Sequence, residues 1–323
     1  MANVAAGTLW NLPNLAGQLF TPSHAQTPFL DRISNIVTVN SPEYAMSSSY
    51  DLESAAQPAI TETDSLTAPA AVSYVRANEK NVAQIFQQQV SLSYAKMSDS
   101  GRLQRVEVGS TGLAYDEAGS NPVSNELAFQ IQTHMDQMKV NMEYTFLNGA
   151  YQLATSAAVA YKNRGLITGS TTNTVAAGGA DITKAIMDSL FKEMADNGAF
   201  DQGGKFSIMC NSFNKMALTD IYSFVPMDRN AGGANIQMIE TDFGFFEIVY
   251  VPRVPAATIA VVNTDKLAIA FNPVAGKPVN DNLVVLEELA KTGAGEKYQL
   301  YSQAGIDYGS SYFHGTVTGT SVA

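Results

Sequence analysis

The 323 residues carry 19 Lys and Arg against 30 Asp and Glu, a net charge of −11, and one cysteine. That length suffices for one large domain or two ordinary ones with a buried core. The lone Cys210 excludes a disulfide scaffold and a cysteine-based zinc site, and the acidic balance argues against a protein whose main task is to hold nucleic acid.

No Lys or Arg precedes Arg32, so no signal-peptide n-region is read, and no Asn-x-Ser/Thr sequon occurs. No apolar run approaches the ~20 residues needed to span a bilayer. The expectation is a soluble, intracellular, non-glycosylated protein without a membrane partner. Charged residues make up 15% of the chain, against about 25% in ordinary globular proteins. Either the protein is simply low in charge, or much of its surface faces other protein copies, because interface cores are depleted in charge.

Residues up to about Ser41 show no sustained periodicity and carry Pro13, Pro22 and Pro28. Trp10, Leu15, Leu19, Phe20, Phe29 and Leu30 are scattered apolar anchors, which suits an extended arm that lies on another surface. From about Val39 to Val108 the sequence predicts a long β-excursion. Within it Val90, Leu92 and Tyr94 alternate with Ser91 and Ser93. Its charges are lopsided: Glu43, Asp51, Glu53, Glu62 and Asp64 come first, then Arg76, Lys80, Lys96, Arg102 and Arg105. These are either two solvated strand faces or the acidic and basic sides of an arm that pairs with neighbouring copies. A long polar hairpin is marginal alone and needs a partner surface.

The clearest element follows. Asn121-Pro122, or Ser124, caps a helix whose Leu127, Ile131, Met135, Met138, Met142 and Phe146 recur at spacings of 4, 4, 3, 4 and 4, with a stop at Asn148-Gly149. This predicts a spine helix about 39 Å long over 122–148, with Gln130, Thr133, Asp136, Gln137, Asn141 and Glu143 on a polar face. Lys162–Gly179 reads as a loop or boundary. A second helix runs from Asp181 or Thr183 to Gly198 with Ile182, Ile186, Leu190 and Met194 in line. A β-run over Lys205–Cys210 and a third helix to about Ser223, with Phe213, Ala217 and Ile221 inward, complete an α/β module. Strands are then expected over Phe245–Val251, Thr258–Val262, Lys266–Phe271, Asn282–Leu289 and Tyr298–Tyr308. The fold class is α+β, with strands at both ends and helices between.

No catalytic constellation is found. His24, His134 and His314 share no ligand spacing and read as surface or capping histidines. Ala275-Gly276-Lys277-Pro278 has Pro where a phosphate loop needs a hydroxyl, Gly293-Ala294-Gly295 lacks a third Gly, and Asp242-Phe243-Gly244 stands without the rest of a kinase set. Cys210 closes an apolar strand as an inert thiol. Glu287 and Glu288 point to opposite faces of one strand. No catalytic residue, metal or cofactor is expected.

The order of arm, β-excursion, spine helix, α/β module and returning strands resembles that of the major capsid proteins of tailed bacteriophages, whose icosahedral capsid fold is shared with encapsulin shells. Thr27-Pro28-Phe29-Leu30-Asp31-Arg32-Ile33 is similar to the opening phrase of one capsid subfamily. Thr241-Asp242-Phe243-Gly244 through Val251-Pro252, then Asn263-Thr264-Asp265-Lys266-Leu267-Ala268-Ile269-Ala270, looks like its axial-domain strands. The resemblance implies an N-terminal arm over 1–41, an E-loop β-hairpin over 42–108 and a peripheral domain over 109–180 that contains the spine helix. It further implies an axial domain over 181–271 and C-terminal strands over 272–323 that return to both domains.

It also implies assembly rather than catalysis: hexamers and pentamers of this chain in an icosahedral shell around double-stranded DNA, which it would touch weakly and without sequence preference. Separate scaffolding, portal and decoration proteins are possible partners. The location implied is the virion capsid, assembled in the host bacterial cytoplasm. Some relatives cross-link an E-loop Lys to a peripheral-domain Asn, for which Lys80 or Lys96 with Asn280 or Asn282 are the available pairs. The alternatives are an encapsulin-like nanocompartment shell, an adhesin, and an enzyme of unknown type.

Overall fold

The computed structural model describes residues 24–50, 52–53, 55–98, 126–222, 236–277 and 283–322. In chain order these form β1 (Asn35–Thr38), β2 (Glu43–Ser49), β3 (Ala77–Val82), β4 (Gln84–Ser93), α1 (Tyr94–Ser98), α2 (Glu126–Asn148), α3 (Leu166–Gly169), β5 (Asn173–Ala176), α4 (Lys184–Asp196), β6 (Phe206–Cys210) and α5 (Ser212–Tyr222). The strands β7 (Met238–Thr241), β8 (Gly244–Tyr250), β9 (Thr258–Asn263), β10 (Ala268–Phe271), β11 (Val285–Glu288), β12 (Gly295–Asp307) and β13 (Gly315–Thr318) follow. The class is α+β, as the sequence predicts. Among the described residues no helix is long and apolar enough to cross a membrane.

One sheet is built around the 13-residue β12. Antiparallel β4 runs along one edge of it, from Gly295 opposite Ser93 to Ala304 opposite Gln84. Along the other edge lie β11, opposite Tyr298–Tyr301, and β10, opposite Ala304–Asp307. Strand β1 adds to β10 in parallel. The 23 residues of α2 make a rod about 34 Å long that packs across β4 and β12.

The second sheet has the order β5-β13-β9-β6-β8-β7. Helix α4 packs on β13 and β5, and α5 on β8 and β6. Thr183 caps α4 by accepting from the Ile186 amide. All residues of β6 and β9 are buried because the sheet is covered on both faces. Ile208, Cys210, Ile259 and Val261 face the core under α4 and α5, with Leu190, Phe191, Leu218 and Phe246. Met209, Val249, Ala260 and Val262 face the other way, into the core shared with α2, Leu300 and Ile306. That double burial makes these apolar runs continuous rather than alternating.

The structure departs from the sequence reading at several points. The stretch expected as one hairpin over 42–108 divides: β2 pairs with β3, whereas β4 leaves to pair with β12, over 200 residues away. Residues 67–76, within the expected β-excursion, contain no strand. Asn173–Ala176, within the expected loop, is a strand parallel to β13, and Ala268–Phe271, expected within 181–271, belongs to the sheet built on β12. Met187 and Phe191 are buried on α4 where Ile186 is only half-buried, and α5 turns Asn214 and Leu218 inward more than Phe213, Ala217 and Ile221. The buried face of α2 carries Glu143, which the sequence places on the polar side.

Candidate assembly surfaces

Strands β2 and β3 form a separate two-stranded ribbon with a rigid root. The Tyr44 hydroxyl donates to the Ile306 carbonyl on β12 at 2.7 Å, and Asn81 Nδ2 donates to the same oxygen at 2.9 Å. Asn81 Oδ1 accepts from the Arg164 amide at 2.8 Å, and Asn163 Nδ2 donates to the Val82 carbonyl at 2.9 Å. Gly305 sits under this network. A Cβ there would lie 2.5 Å from the Tyr44 hydroxyl and 2.8 Å from Asn163 Nδ2, so the close approach requires glycine.

Beyond the root the chain changes character. The described residues between β2 and β3 are exposed and contain no strand, only a single 3-10 turn at Asp64–Leu66. They include large apolar side chains: Leu66 is 85% exposed, Val75 83%, Leu52 73% and Ile60 69%. Tyr50, Val72 and Tyr74 are also exposed. A solitary soluble protein rarely holds so many in water together.

Helix α2 and strand β4 enclose a second feature, an open groove of about 550 Å³ with Ile85, Phe86, Met138, Val140, Tyr144 and Arg253 in its lining. Ile85 and Tyr144 are exposed at its rim. Among the described residues β4 pairs on one edge only, with β12.

The N-terminal segment from His24 is tied into the body at a third place. Phe29 is fully buried among Met138, Phe146 and Val254, and Ile33 is buried beside it. The Glu143 carboxylate, wholly inaccessible, accepts from the Phe29 amide at 3.1 Å and the Leu30 amide at 3.4 Å. Arg253 Nη1 lies 2.8 Å from Glu143 and donates to the Gln26 carbonyl at 2.7 Å, while its Nη2 donates to the His24 carbonyl. Burial pushes the Glu143 carboxyl above the usual carboxylate range, and Arg253 with the two amides pulls the other way. A second tie joins Arg32 to Glu247 at 2.6 Å, with Arg32 Nη1 donating to the Pro28 carbonyl. Arg32 hydrogen-bonded to Glu247 is the main cause holding that carboxyl below its ordinary value.

Of the expected spine-helix face, Met138 and Phe146 are buried, Met135 and Met142 pack at the edge of the same core, and Leu127 and Ile131 are half-buried. Phe86 meets Phe146 edge-to-face at 6.2 Å. Of the charge candidates, Glu43 and Lys80 pair with each other across the ribbon at 3.5 Å, so this pair is satisfied within one chain. Asp64 accepts from the Thr61 hydroxyl in a local turn. Glu53, Glu62 and Arg76 are exposed, and Lys96 lies half-buried on α1. Trp10, Leu19, Phe20, Asp51, Arg102, Arg105, Asn280 and Asn282 lie outside the described residues, as do the helix caps at Asn121, Pro122 and Ser124.

The histidines correct one expectation. His314 is neither at the surface nor a cap: it is fully buried, with Nε2 2.7 Å from the Tyr308 carbonyl and Nδ1 accepting from the Asn263 amide. Burial lowers its pKa to about 4, so the neutral ring donates from Nε2. His134 Nδ1 lies 2.9 Å from Gln88 on β4. Burial raises the Cys210 thiol to about 12, which suits an inert side chain. Among the described residues no group of three His, Cys, Asp or Glu side chains is placed to hold a metal.

The segments Thr27–Ile33 and Thr241–Gly244 have local physical roles. In Thr27–Ile33 the Thr27 carbonyl accepts from the Asp31 amide, Phe29 and Ile33 enter the core and Arg32 makes its ion pair. Thr241–Gly244 is the turn between β7 and β8: Thr241 Oγ1 donates to the Gly244 carbonyl, and Gly244 takes φ +127°. Sequence reading missed Glu143 and Arg253, which are 110 residues apart. The one available signal is a carboxylate beside Met142 and Phe146 on an apolar face, which demands a partner without naming it.

No curated protein matches the chain. Among solved structures the chain is similar to the capsid of cyanophage A-1(L), with TM-score 0.64 and 14% identity over 99% of this chain and 97% of that one. It is similar to the SrpI encapsulin of Synechococcus elongatus, with TM-score 0.57 and 11% identity over 97% and 94%. The capsid of Myoviridae phage XM1 matches with TM-score 0.54 and 12% identity over 94% and 95%. At these identities the likeness establishes the fold. A family model described as SU10 major capsid protein matches residues 2–321. The chain therefore belongs to the SU10 major capsid protein family.

Proposed function

We propose that this protein builds the hexamers and pentamers of an icosahedral shell around double-stranded DNA, and that residues 50–76 tie each subunit to its neighbour. Family membership makes the chain a tailed-phage major capsid protein, a structural component of the virion capsid rather than an enzyme, that self-assembles into capsomers. The finer reading rests on one observation: a ribbon with a rigid root carries a tip whose large apolar side chains stand exposed, uncovered by the described residues of their own subunit. The groove between α2 and β4 is the surface we assign to a neighbour's tip.

In this reading the tip with β2 and β3 is the E-loop, and the segment before β1 is the arm. Helix α2 with the sheet around β12 is the peripheral domain, and the six-stranded sheet with α4 and α5 is the axial domain. Glu53, Glu62 and Arg76 supply charge at the inter-subunit contact. Exposed pairs contribute only about 0–1 kcal/mol each, so apolar area repeated over many copies supplies the stability. The net charge of −11 keeps DNA contact weak. Assembly in the host cytoplasm, with scaffolding, portal and decoration proteins as partners, belongs to the same proposal.

Size-exclusion chromatography with light scattering, followed by negative-stain microscopy of the recombinant protein, tests it. Pentamers, hexamers or closed shells are expected. A 34.5 kDa species that stays monomeric at high concentration, with and without the co-expressed neighbouring virion genes, would contradict it.

A further inference from the structure

The buried ion pair between α2 and the turn after β8 has a geometry that a purely structural pair does not need. Glu143 and Arg253 attract each other at 2.8 Å, and each also hydrogen-bonds the same short piece of main chain. Glu143 receives the Phe29 and Leu30 amides, and Arg253 gives to the Gln26 and His24 carbonyls. Four main-chain groups within seven residues are therefore read by one carboxylate and one guanidinium. The planar fork of Arg suits this, since it presents several donors in fixed directions at once. Phe29 and Ile33 in the core and the Arg32–Glu247 pair anchor the segment from Phe29 onward; the Arg253 contacts to the Gln26 and His24 carbonyls direct the chain before it. Arg253 also lines the groove between α2 and β4, so the segment and the groove share a residue.

We infer that Glu143 and Arg253 are positioning residues for assembly: together they fix the path by which the chain before Phe29 meets the subunit, and hence the geometry in which subunits join. This rests on the shell-protein reading above.

The test uses the full chain and two variants. E143M/R253M replaces the pair with apolar side chains of similar size, which leaves no buried charge unpaired and can keep a fold intact. R253K keeps a cation near Glu143 but loses the fork. Hydrogen exchange of the segment 24–33 and the yield and diameter of shells are read together. The expected result for the double variant is a chain that still unfolds in one cooperative transition, exchange of the Phe29 and Leu30 amides at least tenfold faster, and shells that are lost or heterogeneous in diameter. R253K is expected to fall between it and the wild type in both readouts. Unchanged exchange in a folded double variant would overturn the inference, and so would faster exchange with wild-type shells. If the double variant does not fold, R253K with wild-type exchange and wild-type shells overturns it equally. A wild type that stays monomeric, with and without the co-expressed neighbouring virion genes, contradicts the shell-protein reading instead, and the exchange measurement still reports whether the pair holds the segment.

Discussion

Replacing Leu66 and Val75 together by serine probes the proposed contact where the structure makes its sharpest demand. Both side chains are more than four-fifths exposed in the single subunit, at 85% and 83%. Their loss therefore costs the isolated subunit little, within about 0.5 kcal/mol per site, and its unfolding temperature should move by under about 2 °C. If a neighbour covers them, each is worth about 1.5–3 kcal/mol on burial, so the pair contributes roughly 3–4 kcal/mol per inter-subunit contact when covered incompletely. At 1.4 kcal/mol per factor of ten, the concentration needed for assembly should rise a few hundred-fold. Analytical ultracentrifugation across a dilution series measures that concentration, and calorimetry of the dissociated subunit measures stability. Wild-type assembly would refute the reasoning. A fall of more than about 5 °C in the unfolding temperature would refute it differently, by showing that these residues pack within their own subunit.

Three further outcomes follow from the interior. Gly305→Ala should destabilise by about 2–3 kcal/mol and speed hydrogen exchange in β2 and β3, because the new Cβ lies 2.5 Å from the Tyr44 hydroxyl; wild-type exchange there would contradict the account of the ribbon root. Phe146→Ala, which empties a fully buried site beside Phe86, should cost about 3–5 kcal/mol in urea unfolding, and a cost below about 1 kcal/mol would show that α2 does not carry the core. Acid should cost stability through His314: its folded pKa of about 4 lies below the unfolded value, so the unfolded chain binds the extra proton as pH falls from about 6.5 towards 4. At pH 5 that penalty is roughly 2 kcal/mol. Burial raises Asp307 and Glu143, and groups raised in the folded state act in the opposite sense, so the comparison is made against His314→Asn. The wild type should lose about 2 kcal/mol more than the variant between pH 7 and pH 5, and parallel pH curves would contradict the buried neutral ring.

Much of this architecture is legible in the sequence where the signal is local. The recurrence of Leu127, Ile131, Met135, Met138, Met142 and Phe146 marks α2, Thr183 marks the start of α4, and the apolar run ending at Cys210 marks β6. What is not legible depends on partners far along the chain. Strand β5, Asn173–Ala176, is a short polar stretch amid Gly, Ser and Thr, and it is a strand only because β13 lies beside it about 140 residues later. Strand β4 looks like one arm of a hairpin until β12 claims it. Glu143 shows the same limit for a side chain: the helical period places it near a polar face, and only Arg253 and the Phe29 amide explain its burial. Of the proposed contact, the sequence supplies the apolar and charged residues of the excursion but not their exposure. Leu52, Ile60, Leu66 and Val75 read like strand residues and instead stand out in solvent.

A cryo-electron microscopy reconstruction of the assembled particle tests the central claim most directly, because it places residues 50–76 relative to the neighbouring subunit. The account predicts that Leu66 and Val75 of one subunit are buried against α2 and β4 of the next, over Ile85 and Tyr144. Residues 50–76 folded back on their own subunit, or projecting into solvent without touching a neighbour, would contradict it.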